Sequence, residues 1–280
     1  MSNEIIQWNI RGLKTSQNIN FSKKIEIVTS FLLNPQSSFV INIQETHFTN
    51  QTQIPKDWLN FKHLYHIIST FAHERDRFSG ISIFLNKTYD ILEVKEIRQG
   101  RILLLNVQNK VSLKKIYVFS VYGKASGSES EKSEILKQIL SHIETFRDQS
   151  KLIIIGDFNF VDSTLDRNTN CLNRTDKVCK EIWAKIENAG NLTDSFRITN
   201  KTKRLYTYFS ATKHKSRIDK IFVPTEWTGK IISTIFENVP VSDHKIVITK
   251  FRNKVEKGQG VYVFDNSLLE DTFLYRVHMT

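Results

Sequence analysis

The stretch LIIIGDFNFV, residues 152–161, passes from aliphatic residues through a glycine to an acid and an amide flanking a phenylalanine. A short aliphatic run reads as a strand buried on both faces. Asp and Asn are costly to bury unless something holds them. Alternation along an extended chain predicts that Asp157 and Asn159 share one face. The pair is therefore either a turn cap or half of a polar site mounted on a rigid strand.

The same pattern recurs along the chain. Strands are predicted in EIIQWNI, SFVINIQET, GISIFL, RILLLNV, KIYVFSVYG, KLIIIGDF, RLYTYFS, RIDKIFVP and KIVITKF, all rich in Val, Ile, Phe or Tyr. In EKSEILKQILSHIETF the residues Ile135, Leu136, Ile139, Leu140, Ile143 and Phe146 follow helical spacing. A second helix is expected over 175–188 with Gly190 as its C-cap, and a third over 22–33, stopped before Pro35. Strands and helices interleaved in this way predict an α/β fold of two packed sheets with helices outside.

Polar residues fall at the strand ends: Asn9, Glu45, Tyr122, Asp157 with Asn159, Asp219, and Asp243 with His244. Taken singly, each has a plain structural reading as a buried hydrogen-bonded amide, a cap, or an ion pair of Asp219 with Arg217 or Lys220. Their recurrence in one chemical flavour points further. Oxygen donors with a single histidine and no cysteine suit Mg²⁺ or Mn²⁺ and not zinc. Phosphate-ester hydrolysis uses this inventory: a cation against developing charge, a carboxylate to activate water, and donors for phosphate oxygens.

With 40 Lys+Arg against 29 Asp+Glu, the 280-residue chain carries a net charge of +11, which favours a phosphate backbone or an anionic membrane as partner. No apolar run approaches the roughly 20 residues that span a bilayer. No secretory signal is visible in MSNEIIQWNIRGL. Cys171 and Cys179 lack metal-site spacing and are expected to be free thiols in a reducing compartment. After Phe251, RNKVEKGQG reads as a linker, and VYVFDNSLLEDTFLYRVHMT is too short to fold alone.

QWNIRGL, IQETH, VYG, GDFN, RIDKIF and SDHKIV, in that order, resemble the endonuclease/exonuclease/phosphatase superfamily from about Ile5 to about Phe251. The resemblance implies a four-layer α/β sandwich, DNase I-like. GDFNFVDSTLDR and YTYFSATKHKSRIDKI look more narrowly like the endonuclease domain of LINE-type (non-LTR) retrotransposons, in which a hairpin enters the DNA minor groove. GQGVYVFDNSLLED resembles the segment leading from that endonuclease to a reverse transcriptase. The domain division so implied is an endonuclease over 1–251 and a linker over 252–280.

By resemblance, Glu45 binds a divalent cation, Mg²⁺ or Mn²⁺, with Asn9 beside it and Asp243 helping to place it. Asp157 activates the attacking water with help from Asn159, and Tyr122 donates to a phosphate oxygen. His244 contacts the scissile phosphate and is held charged by Asp219. Thr207 and Ser216 flank the hairpin and touch the DNA backbone. The basic residues Lys213, Lys215 and Arg217, with Tyr208, are expected on DNA, as are Arg11, Arg167 and Arg174. Such contacts supply affinity more than sequence choice.

The implied activity is nicking of one strand of duplex DNA to leave a 3′-hydroxyl that primes reverse transcription. The partners would be double-stranded DNA, a fused reverse transcriptase and element RNA, with no membrane, and the nucleus follows from the substrate. Two departures separate the chain from abasic-site enzymes: Arg11 stands where those carry an acid, and Ser216 where they tend to carry tryptophan. An abasic-site repair enzyme is the alternative on the same fold. A phosphatase or phospholipid hydrolase and an inactive DNA-binding module are further readings.

Overall fold

The computed structural model describes residues 2–13, 19–146 and 151–252, so the linker expected over 252–280 lies, beyond Arg252, outside the described residues. The chain opens with β1 (Ser2–Asn9), α1 (Ile19–Leu32), β2 (Ser38–Gln44), α2 (Lys56–Leu59) and β3 (Tyr65–Thr70). It continues through β4 (Ile81–Asn86), β5 (Tyr89–Arg98), β6 (Ile102–Asn109), β7 (Lys115–Tyr122), α3 (Glu129–Ile143) and β8 (Lys151–Asp157). Then come α4 (Arg174–Gly190), β9 (Leu192–Asp194), α5 (Ser195–Thr199) and the small hairpin β10 (Tyr208–Phe209) with β11 (Lys215–Ser216). β12 (Asp219–Pro224), β13 (Ile231–Glu237) and β14 (Ile246–Arg252) complete it.

Two six-stranded sheets form, in the orders β13-β14-β1-β2-β4-β3 and β5-β6-β7-β8-β12-β9. Each is mixed, with β1 parallel to β2 and β7 parallel to β8. Apolar residues of α1 (Ile25, Val28, Leu32) cover the first sheet, packing with Ile6, Trp8, Ile41 and Ile43. Residues of α3 and α4 (Ile135, Leu136, Ile139, Trp183, Ile186) cover the second, against Phe119, Ile154 and Phe222. The result is the expected four-layer α/β sandwich.

Alternation on the inner faces explains why core strands deliver polar groups. Ile5, Val40, Val118, Ile153, Ile155, Ile221 and Val223 pack together between the sheets. Two residues further along the same faces come Gln7 and Asn9 on β1, Asn42 and Gln44 on β2, and Ser120 and Tyr122 on β7. Asp157 ends this series on β8, and Asp219 begins it on the antiparallel β12, directly opposite Asp157. The space between the sheets is therefore apolar at one end and polar at the other.

The polar end is internally satisfied, as buried amides must be. Gln7 Nε2 donates to Gln44 Oε1 at 3.0 Å, and Ser120 Oγ to Asn42 Oδ1 at 2.6 Å. Gln44 reaches across to the other sheet, donating to the Val121 carbonyl and accepting from the Asp157 amide, both at 2.7 Å.

Several local expectations change. The helix expected over 175–188 extends to Gly190, and Asn191 takes the left-handed cap conformation (φ 47°). A Cβ at Gly190 would lie 2.8 Å from Leu152, so this glycine serves close packing and not the turn. RLYTYFS forms only the two residues of β10, and strands β3, β5, β9 and β13 arise where none is predicted. Cys171 is exposed, Cys179 is buried, and both are free. No described helix is long and apolar enough to cross a membrane.

Candidate active site

Both sheets contribute to one cleft of about 840 Å³. From the first sheet Glu45, just past β2, lines it, and Asn9, fully buried at the end of β1, stands behind. Asn9 Nδ2 donates to Glu45 Oε1 at 2.7 Å and to Asp157 Oδ2 at 2.9 Å, bracketing the two carboxylates across the sheet gap. Tyr122 donates its hydroxyl to Glu45 Oε1 at 2.6 Å. His244 Nδ1 pairs with Asp219 Oδ2 at 2.8 Å and lies 3.8 Å from Asp157 Oδ2. The rings of His244 and Tyr208 have centroids 4.9 Å apart.

Asp157 and Asn159 do meet at one spot, but not by strand alternation. The strand ends at Asp157, and its Oδ1 accepts the Asn159 amide at 2.9 Å, a turn in which the acid binds the backbone two residues on. Asn159 then adopts φ 51° and donates Nδ2 to the Gly123 carbonyl at 2.9 Å. Arg11, Glu45 and His47 also have positive φ, of 52°, 53° and 59°. Such uncommon non-glycine conformations gather where surrounding structure must fix a functional geometry.

The charges are unevenly held. Burial opposes ionisation of Glu45, but the approach of His47 and the hydrogen bonds from Asn9 and Tyr122 outweigh it and bring the carboxyl down to about 2. Burial and the neighbouring Asp219 push Asp157 up to about 7. Burial would lower His244, yet Asp219, with Asp157 and Asp243 behind it, raises the imidazole to about 10. Burial and the adjacent Glu45 and Asp157 keep the Tyr122 hydroxyl protonated. One carboxylate is thus a firm anion, one is poised near neutrality, and the histidine is a cation.

Glu45, Asp157 and His244 offer ligand atoms within 4.8 Å of one another. Because His244 Nδ1 is already engaged by Asp219 and the ring is charged, the donors suited to a hard cation are the two carboxylates. Of the ligand set that the resemblance implies, Glu45 belongs to this cluster, while Asn9 and Asp243 have protein partners. Asn9 spends its amide NH₂ on both carboxylates and its Oδ1 on the Arg11 amide at 3.0 Å. Asp243 forms an ion pair with Arg11.

Two glycines shape the site without entering it. A Cβ on Gly156 would stand 1.8 Å from the Val121 carbonyl, because β7 and the tip of β8 approach closely where Gln44 crosses between sheets. Gly156→Ala should destabilise the protein by more than about 3 kcal/mol in urea unfolding, since neither backbone can move without breaking the parallel ladder. An unchanged midpoint would show that the ladder yields there. Gly12 has φ 81°, and a Cβ there would strike the His47 ring at 2.5 Å.

The residues expected on DNA divide into two groups. Lys213 and Lys215 are exposed on the β10–β11 hairpin, Tyr208 and Ser216 pair across it half-buried, and Arg174 is exposed beside Glu129. Arg217 and Thr207 are corrections. Arg217 is 1% exposed, its guanidinium paired with Asp166 at 2.7 Å and Asp194 at 2.6 Å. Thr207 is fully buried, and its Oγ1 accepts the amides of Ile218 and Asp219, each at 3.1 Å. It positions Asp219 and cannot touch a backbone phosphate. Arg167 is largely engaged by Asp176 at 2.8 Å.

Sequence reasoning passed over the far wall of the cleft. His73, Arg75, Asp76 and Phe78, between β3 and β4, line it with Arg98 and Arg101. Phe78 is 70% exposed beside these cations. The signal was present in HERDRFSG: arginines around an aromatic, outside any strand pattern. Gln44 was also unmarked, because nothing in the pattern distinguishes it from other strand-end polars.

The chain belongs to the endonuclease/exonuclease/phosphatase family, whose sequence profile matches residues 6–244. It is similar to the transposon TX1 uncharacterized 149 kDa protein of Xenopus laevis, 25% identical over 238 residues. That match covers 82% of this chain and 17% of the relative, so the chain spans about one-sixth of the relative's length. Among solved structures, an AP endonuclease from Archaeoglobus fulgidus superposes with a TM-score of 0.69 at 17% identity, covering 89% of this chain and 99% of that one. The 3′ phosphatase NExo from Neisseria, bound to product DNA hairpin, gives 0.66 at 17% identity, covering 90% and 100%. Both likenesses establish the DNase I-like fold.

Proposed function

We propose that this chain is a divalent-metal-dependent DNA endonuclease that nicks one strand of a duplex and leaves a 3′-hydroxyl. In the retrotransposon setting suggested by the TX1 likeness, that end would prime reverse transcription in the nucleus, with element RNA and a reverse transcriptase as partners. The observation that carries the reading is the bracket of Asn9 between Glu45 and Asp157, with the Asp219–His244 pair beside it in one basic-walled cleft.

Glu45 and Asp157 would hold Mg²⁺ or Mn²⁺, which when bound neutralises charge developing on the phosphate. Asp157 also accepts the proton of the attacking water. His244 donates a charged hydrogen bond to a phosphate oxygen, its ring held in place through Nδ1 by Asp219. Asn159 steadies the Asp157 carboxylate through its backbone amide, and Tyr122 orients Glu45. Lys213, Lys215 and Tyr208 of the hairpin and Arg75, Arg98 and Phe78 opposite would grip the two sides of a duplex.

The test is nicking of supercoiled plasmid with Mg²⁺, with EDTA, and beside an oligonucleotide duplex carrying one abasic site. Metal-dependent nicking of intact plasmid with little abasic preference is expected. Strong abasic preference would replace this reading with repair, and DNA binding without nicking would replace it with a binding module.

A further inference from the structure

Arg11 contacts a carboxylate of the cleft, and its placement is built by the backbone. It occupies a left-handed conformation, followed by Gly12 in another, with φ of 52° and 81°. Its amide donates to Asn9 Oδ1 at 3.0 Å, and the Gly12 amide donates to the Glu45 carbonyl at 2.7 Å. Lys24, nearly buried, donates Nζ to the carbonyls of Arg11 and Gly12 at 3.2 and 3.0 Å. This strained turn aims the guanidinium at Asp243, with which it forms an ion pair. The Arg11 side chain is 63% exposed and that of Asp243 17%, so the arginine reaches from the surface down onto a carboxylate set back in the cleft.

We infer that Arg11 acts as a resident counter-cation for Asp243, so that the cleft takes a single divalent ion. Four acids gather at this end of the sheet gap: Glu45 and Asp243 line the cleft, Asp157 clusters with Glu45, and Asp219 lies opposite Asp157. Asp219 is matched by His244 and Asp243 by Arg11. Glu45 and Asp157 remain, two carboxylates for one divalent charge. Guanidinium is permanently protonated and cannot be a ligand, so it removes Asp243 from the coordination set instead of sharing it. The inference rests on the metal-site reading above and adds a count to it.

The test titrates Mn²⁺ into the full chain, following free Mn²⁺ by electron paramagnetic resonance, without DNA. Wild type and Arg11→Lys should bind one ion. Arg11→Asp, which frees Asp243 and adds a carboxylate beside it, should bind two, and Arg11→Asp with Asp243→Asn should return to one. Circular dichroism checks that each variant is folded, and Arg11→Ala, tighter than wild type by several-fold, serves if Arg11→Asp is not. Two ions in wild type, or one ion at unchanged affinity in both Arg11→Asp and Arg11→Ala, would overturn the counter-cation role. Failure of the metal reading itself looks different: wild type would bind no Mn²⁺, or Glu45→Gln would bind it undiminished.

Discussion

Asp157→Asn should lose nicking activity by about 10²–10⁴-fold while the folded protein becomes more stable. The two effects share one cause. Asp157 is fully buried directly opposite Asp219, and burial and that neighbour raise its pKa from 3.8 to about 7. A carboxyl whose folded pKa lies above its unfolded value binds more protons when folded. Its contribution to stability is full below about pH 4 and is lost as pH rises through about 7. At neutral pH the ionised group is therefore a burden, and a neutral amide of the same shape removes it. Thermal melts in EDTA should show wild type falling below the variant across that window, by a few kcal/mol at most. Equal melting curves would mean that Asp157 is not strained by its surroundings. Undiminished nicking would remove it from the mechanism.

Arg217→Ala should destabilise the protein by roughly 3–5 kcal/mol. The guanidinium is buried on Asp166 and Asp194, and Asp166 also receives Arg197 and lies 3.6 Å from Lys220 Nζ. Burial would raise the Asp166 carboxyl, but Lys220 and Arg217 hold it well below the usual carboxylate range. Removing Arg217 leaves two buried carboxylates short of a partner. Urea unfolding reads the loss, and the salt dependence of DNA binding separates it from a phosphate contact. A lost phosphate contact would reduce the slope of log K against log salt by about 1 at unchanged stability. The buried network predicts the reverse: a large shift in midpoint and an unaltered slope in the protein that remains folded.

These two residues mark how far the sequence could be read. Asp157, Asp219, Asn9, Glu45 and His244 were legible because each stands at or beside one end of an apolar strand; alternation places Asn9, Asp157 and Asp219 in the sheet gap, whereas Glu45 and His244 reach it from the loops after β2 and before β14. Arg217 was misassigned for the same reason that Asp219 was found. It lies in a basic stretch beside the hairpin, and nothing local says that Asp166 and Asp194, far off in sequence, are waiting for it. The central strands were plain in their Ile and Val content. β5, YDILEVKEIR, was not, because an edge strand with one solvated face carries charges that blur its pattern. Thr207 and Gln44 escaped notice because their roles are hydrogen bonds to backbone and across sheets, which composition does not announce.

The bracket of Asn9 has one more consequence. Glu45 stands on one sheet and Asp157 on the other, so their separation is set by how far apart two plates are held, about 10 Å for stacked sheets. What fills that gap behind them is Val118, Ile153, Ile155 and Leu105. The width of the cleft is thus the thickness of the oil behind it. Side chains that never approach a phosphate act as shims in a caliper, and a methylene gained or lost there retunes the grip of the jaws.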